Sequence, residues 1–233
     1  MKKTLSLLFL IPISTLSIMT LIYLFTRDEP IFFLKNVKIS GTEQLGEADI
    51  MNKVSPFLKE SLLKIDAAKM KEAITSHPFV KEVSIKRMYP FSILIDVKEK
   101  KPCALWIDGA GTIMVLDENG EPYRGLIKGD EKGMFVINAL NKGEARSVYR
   151  EVSTWIKKGL LKGETLSEVF YNEGNITVFG LENGVEIVLG KEDQDQRLKR
   201  AVAVFEDAKR RGLLIKCIDA RFEKGAIIQE RKG

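Results

Sequence analysis

One histidine and two cysteines are all this 233-residue chain offers to chemistry that needs an imidazole or a thiolate. A sole His77 excludes every mechanism that requires two imidazoles, His-x-x-x-His zinc sites included. It stands directly before Pro78, where it reads as a helix stop. No Gly-x-Ser-x-Gly elbow, Walker loop or dinucleotide fingerprint occurs, and the glycines are scattered as turn residues. Cys103 and Cys217 lie more than a hundred residues apart, which is neither a metal pattern nor a disulfide framework. They read as two buried thiols serving as small hydrophobes, or as a pair able to bond in an oxidising compartment.

A strong charge of one sign is also missing. Lys2, Lys3 and Arg27 carry three of the five net positive charges, so residues 28–233 hold only +2, with acids and bases interleaved. A nucleic-acid binder needs Lys and Arg clustered on one face to neutralise phosphates, so that class is excluded. Asp195 with Arg197, and Asp219 with Arg221, could form a charged clamp, but surface ion pairs explain such spacings better than catalysis does. Trp106 and Trp155 fall in a strand-like run and on an apolar helix face, and are expected in the core. The expectation is a protein that is not an enzyme, with no cofactor, no metal and no small-molecule substrate.

What is present begins with an apolar run. Thr4 to Phe25 contains no charge over 22 residues, a helix of roughly 33 Å against a bilayer core of about 30 Å. Pro12 is tolerated inside a membrane helix. A cleaved signal peptide would have a shorter apolar region ending in small residues, whereas this run ends in Tyr23-Leu24-Phe25. The reading is an uncleaved anchor over 4–25, behind a tail of residues 1–3. Lys2, Lys3 and the terminal amine hold that tail inside, which places the bulk of the chain outside the cytoplasmic membrane.

Beyond the anchor the pattern is that of an α+β protein. Residues 34–41 alternate Val37 and Ile39 with polar neighbours, as a half-buried strand does, and stop at Gly41. A helix is expected from about Glu47 to Val54, ended by Pro56. A second, capped by Asp66, puts Ala67, Met70 and Ile74 on one face. Two alternating runs follow, Val80–Arg87 and Ser92–Glu99, joined at Tyr89-Pro90. The order strand, helix, helix, strand, strand describes a small domain in which two helices cover one side of a three-stranded sheet.

The string Val37-x-Ile39-x-Gly41, Leu45, Asp49-Ile50, Ile65-Asp66, His77-Pro78-x-Val80, Val83-x-Ile85-x-Arg87-x-Tyr89-Pro90, Ile93-x-Ile95-x-Val97-x-Glu99 and Pro102 resembles a POTRA domain. It is similar in particular to the copy in the bacterial cell-division family FtsQ, called DivIB in Gram-positive species. The later segments Leu116-Asp117-x-x-Gly120, Gly184-Val185-x-Ile187-x-Leu189-Gly190, Arg197-Leu198 and Ile218-Asp219-x-Arg221-Phe222 resemble the same family.

The second half reads as β-rich with two longer helices. Strands are expected at Thr112–Leu116, Met134–Ile137, Glu168–Tyr171, Ile176–Phe179, Val185–Leu189, Ile215–Ala220 and Ala226–Gln229, with a hairpin turn at Glu182-Asn183-Gly184. One helix, about Ala145–Lys158, presents Val148, Val152, Trp155 and Ile156. The other, about Asp193–Arg211, presents Leu198, Ala201, Val202, Phe205 and Ala208. The expected domains are 31–101 (POTRA) and 102–233 (β-rich).

The resemblance implies a single-pass divisome scaffold at the septum. It would recruit FtsB and FtsL, other division proteins and septal peptidoglycan synthases by binding, without turnover. The alternative is a POTRA-containing accessory that holds polypeptides during export or outer-membrane assembly. A last strand with unpaired backbone groups could accept a strand from another protein; a paired interior strand or a covered edge is the other reading. By position, the resemblance places partner binding on Phe222, Glu223, Lys224, Gly225, Ala226, Ile227 and Ile228.

Overall fold

A computed structural model describes residues 2–26, 34–130, 133–173, 175–181 and 183–231 of the chain. Arg27, residues 31–33 of the expected first domain, and Glu182 lie outside the described residues. The chain divides into two compact units, Met1–Glu99 and Lys100–Gly233.

The first unit opens with α1 (Lys2–Thr26), a single helix of 25 residues that contains Pro12. Side chains described in it begin at residue 12, and the large apolar ones are exposed, Leu16 and Met19 at 68% and 69%. That described stretch is shorter than the about 20 residues a bilayer requires. Among the described residues, no helix is long and apolar enough to cross a membrane.

The rest of the unit follows the expected order: β1 (Asn36–Ser40), α2 (Glu47–Val54), α3 (Ala67–Thr75), β2 (Val80–Met88) and β3 (Ser92–Glu99). The Asp66 carboxylate accepts from the Ala68 and Lys69 amides and starts α3, as a cap should. In the sheet β1-β3-β2, β1 runs parallel to β3 from Asn36↔Ser92 to Ser40↔Asp96, and β2 pairs antiparallel with it. Ile50 and Val54 of α2, and Met70 and Ile74 of α3, are buried against Val83, Ile93, Ile95 and Val97. Ala67 is half-buried at the rim.

Two motif residues in this unit have a direct physical reason. Gly41 has φ +82°, and a Cβ there would stand 2.1 Å from the Val97 carbonyl oxygen, so only glycine fits. The Glu99 carboxylate accepts from the Glu43, Gln44 and Leu45 amides at 2.8–3.2 Å. Partial burial pushes its pKa up, but those three amides push it down further, and the net shift is downward.

The second unit is one nine-stranded sheet. Its strands are β4 (Ala104–Ile107), β5 (Ile113–Leu116), β6 (Pro122–Gly125), β7 (Phe135–Asn138), β8 (Leu166–Asn172), β9 (Asn175–Leu181), β10 (Glu186–Val188), β11 (Ile215–Asp219) and β12 (Ile227–Glu230). They lie in the order β12-β11-β10-β9-β8-β7-β4-β5-β6. Helix α4 (Lys142–Lys157) joins β7 to β8, and α5 (Gln194–Arg210) joins β10 to β11, each connecting a parallel pair. Val148, Val152 and Trp155 of α4 share one core with Leu198, Ala201, Val202, Phe205 and Ala208 of α5. Ile156, expected on that face, is instead 48% exposed, because it follows Trp155 by one residue and a helix turns 100° in that step. The sequence reading passed over β6, and for β4 it marked only a strand-like run at Trp106 without bounds. Each is only four residues long, and β6 begins with a proline.

Both tryptophans are buried and satisfied. The Trp106 indole donates to the Ala139 carbonyl at 2.9 Å, and the Trp155 indole to Asp195 at 2.7 Å. Cys103 and Cys217 are free and half-buried. Cys217 is on β11, and Cys103 leads into β4, five inter-strand steps away in the sheet order. At about 4.8 Å a step this is far beyond the roughly 7 Å between Cα atoms that a disulfide allows.

Candidate functional site

The chain's last strand terminates one side of the nine-stranded sheet. Among the described residues, β12 pairs antiparallel with β11 alone, through Asp219↔Ile227, Ile218↔Ile228 and Cys217↔Gln229. Its four residues are exposed, Ile227 at 58% and Ile228 at 38%. A β-branched pair in a short strand supplies β propensity, and only one side of its backbone is used by β11. The reading of an open edge at the last strand therefore agrees with the fold.

The turn that presents this strand is held from below. Arg200, on α5, donates through Nη1 to the Glu223 carbonyl at 2.6 Å and through Nη2 to the Phe222 carbonyl at 2.6 Å and the Ala220 carbonyl at 3.1 Å. One guanidinium fork thus gathers three carbonyls that would otherwise leave the turn underdetermined. Arg221 forms a two-bond pair with Asp219, at 2.9 Å from Nε and 2.6 Å from Nη2. The Arg221 guanidinium lowers the Asp219 pKa below the ordinary carboxylate range, and Asp219 raises that of Arg221. Gly190 lies against this pair with φ +74°, and a Cβ there would come within 3.2 Å of Arg221 Cγ and 3.0 Å of Arg197 Nη1.

Beside the edge, on the α5 face, lies an open groove of about 410 Å³. Residues directly opposite on paired strands point to one face, so Ile228 shares the face of buried Ile218. Together with Ala226, Ala203 and Val204 it gives the groove an apolar floor, while Arg200, Asp207 and Arg211 form a charged rim. A strand added to β12 would send alternate side chains toward this groove.

The seven residues singled out for partner binding lie together here. Phe222, Glu223, Lys224, Gly225 and Ala226 make the turn after β11, and Ile227 and Ile228 open β12. Phe222 is 47% exposed. Arg200 and the α5 side of the groove escaped the sequence reading. The available signal was Ala203 and Val204 falling beside the buried stripe of α5 and widening it toward solvent.

Of the charged residues weighed as a clamp, Arg197 and the Asp219–Arg221 pair border Gly190, while Asp195 is engaged by other partners. Asp195 accepts from Trp155 and from Lys158 Nζ at 2.6 Å, and those two partners lower its pKa. Arg197 donates to the Leu189 carbonyl at 2.8 Å. The His77 Nδ1 accepts from the Phe79 amide at 3.3 Å, a local contact after α3. Among the described residues, no group of three or more His, Cys, Asp or Glu could hold a metal ion.

Residues 32–100 match the domain family described as POTRA, FtsQ-type, and residues 104–221 match the one described as cell division protein FtsQ/DivIB, C-terminal. The chain is 24% identical over 204 residues to the cell division protein FtsQ of Myxococcus fulvus, covering 83% of this chain and 71% of that protein. It is 21% identical over 209 residues to the FtsQ of a Geobacter species, covering 84% and 76%. It is 21% identical over 221 residues to the FtsQ of Geotalea daltonii, covering 90% and 80%.

Proposed function

Because this chain belongs to the FtsQ/DivIB family of cell-division proteins, we propose that it is a membrane-anchored divisome scaffold that captures a partner as an added strand on β12. One observation carries this reading: β12 ends the sheet, is exposed along its length, and borders an apolar groove on the α5 side. Backbone groups on the open side of β12 supply affinity, and the groove selects the side chains that alternate toward it. Phe222, Glu223, Lys224, Gly225, Ala226, Ile227 and Ile228 form the docking segment, with Arg200 holding the turn in position. The resemblance that first suggested the family names FtsB and FtsL as the partners, and through them the septal peptidoglycan synthases.

The anchor is α1. Its uncharged run from Thr4 to Phe25 suits a bilayer, and the exposed Ile13, Leu16, Met19 and Phe25 gain a covering there. The POTRA domain (31–101) and the β domain (102–233) then lie outside the cytoplasmic membrane. This division of labour gives binding sites to the folded part and location to the helix.

The test is a titration of the full chain in lipid nanodiscs against the extracytoplasmic parts of FtsB and FtsL from the same organism, with Ile227→Pro alongside. Saturable binding that weakens by roughly 100-fold or more in the Pro variant, with its circular dichroism unchanged, supports the docking edge. Equal binding by both proteins moves the interface away from β12.

A further inference from the structure

The tip of the β2–β3 hairpin differs in composition from the turns at 117–120 and 223–225. Asp117-Glu118-Asn119-Gly120 and Glu223-Lys224-Gly225 are polar, as exposed turns usually are. Met88-Tyr89-Pro90-Phe91 is apolar and aromatic, yet Met88 is 51% and Tyr89 62% exposed. Cations lie beside it. Lys86 precedes the tip and is exposed, and Lys35 holds its ammonium 4.6 Å from the centre of the Phe91 ring, whereas Arg87 turns to the other face and donates Nη2 to the Ile65 carbonyl at 2.6 Å. An amphipathic aromatic with a neighbouring Met and flanking cations is the composition that settles at a bilayer interface, where the ring takes the boundary and the cations meet headgroups.

The topology puts this tip at the anchor's end of the domain. The Lys35 and Asn36 amides both donate to the Phe91 carbonyl, at 2.9 and 3.1 Å, so the start of β1 and the hairpin tip are fastened together. The chain between Thr26, the last residue of α1, and Leu34 reaches at most about 30 Å even when fully extended. Wherever α1 leaves the bilayer, the tip is tethered within that distance of the surface.

We propose that the Met88–Phe91 tip docks on the anionic headgroup surface of the membrane that α1 crosses. Tyr89 and Met88 enter the interface, and Lys35 and Lys86 face the lipid phosphates. This contact orients the first unit against the bilayer, and it rests on the reading of α1 as an anchor.

The test uses the full chain in vesicles whose lipids carry bromine near the headgroup end of the acyl chains, with and without phosphatidylglycerol. Tyr89→Trp places an indole at the tip, and Phe25→Trp places one at the end of the anchor. The native Trp106 and Trp155 are buried in the other unit and supply a constant background. The expected result is quenching of the indole at both positions in anionic vesicles. At position 89, Lys86→Ala shifts the contact equilibrium roughly fivefold toward the undocked state, and salt shifts it the same way. Quenching at position 25 but not at position 89 overturns the docking and leaves the anchor standing. Quenching at neither position overturns the anchor, and the docking with it. Quenching at position 89 that is equal in uncharged vesicles overturns the assignment to an anionic surface. Circular dichroism confirms that each variant is folded, which the exposure of these positions leads one to expect.

Discussion

The two ends of the nine-stranded sheet are built on opposite plans. At one end β6 begins with Pro122, which has no N–H to offer, and its Arg124 is locked in a buried ion pair with Asp130. The same carboxylate accepts from the Ile127 amide at 2.8 Å, so the loop after β6 folds back onto its own strand. At the other end β12 exposes Ile227 and Ile228; Arg200 holds the turn before it, and the Arg231 amide just past it donates to the Leu214 carbonyl at 2.7 Å. A sheet edge is a template for any passing strand, and proteins blunt the edges they do not use. The contrast teaches that the open edge is a choice made strand by strand within one sheet, and it supports the proposal that β12 is the binding edge.

The largest effect is expected from breaking the blunted end. Asp130→Asn leaves the Arg124 guanidinium, 5% exposed, without its counter-charge. The expected loss is about 3 kcal/mol, seen as a melting temperature lower by roughly 10 °C. The pH dependence has a definite sign. The Arg124 side-chain bond holds the Asp130 pKa below its ordinary value, against a smaller opposing effect of burial. A depressed folded-state pKa contributes stability that is present above the unfolded value of about 3.9 and is lost as pH falls through the folded one. Denaturant melts of both proteins should therefore differ fully at neutral pH and converge in the acid range below about pH 4. A gap that persisted undiminished there would show that the pair is not what secures β6.

The open end should respond in binding more than in folding. Arg200→Ala frees three carbonyls of the turn, and is expected to weaken partner affinity about tenfold at a stability cost of roughly 1–2 kcal/mol. Calorimetric titration beside a thermal melt separates the two. The smallest effect belongs to Asp219→Asn. Its partner Arg221 is 58% exposed at the side chain, so the loss should stay below about 1 kcal/mol. If the exposed pair mattered as much as the buried one, the distinction between the two ends would fail.

How far the sequence carries this picture depends on the length of each element. In the first unit α2 and β3 fall at their expected limits, since eight residues of clean periodicity specify both type and register. In the second unit β4 and β6 are four residues each, and β6 buries a charged Arg124 that spoils any alternation. The placement of β7 between β4 and β8 rests on parallel pairing over long loops, which no local pattern encodes. The terminal strand of the sheet was legible as a final strand with turn residues before it. Its support was not, because an arginine beside the buried stripe of α5 looks like any solvated cation until the turn it holds is seen.

The crossover through α5 also has a consequence in time. β12 pairs only with β11, and β11 joins the sheet only by lying parallel to β10 after α5 has packed across it. Non-local parallel pairings form late, because the loop between them must close before any contact offsets its entropy. Hairpins such as β8–β9 can zip locally, whereas the edge proposed to receive the partner waits for the crossover. If β12 is the docking edge, competence to bind marks the completion of folding, and a chain stalled short of that step is expected to be silent to its partner even when most of its core is already dry.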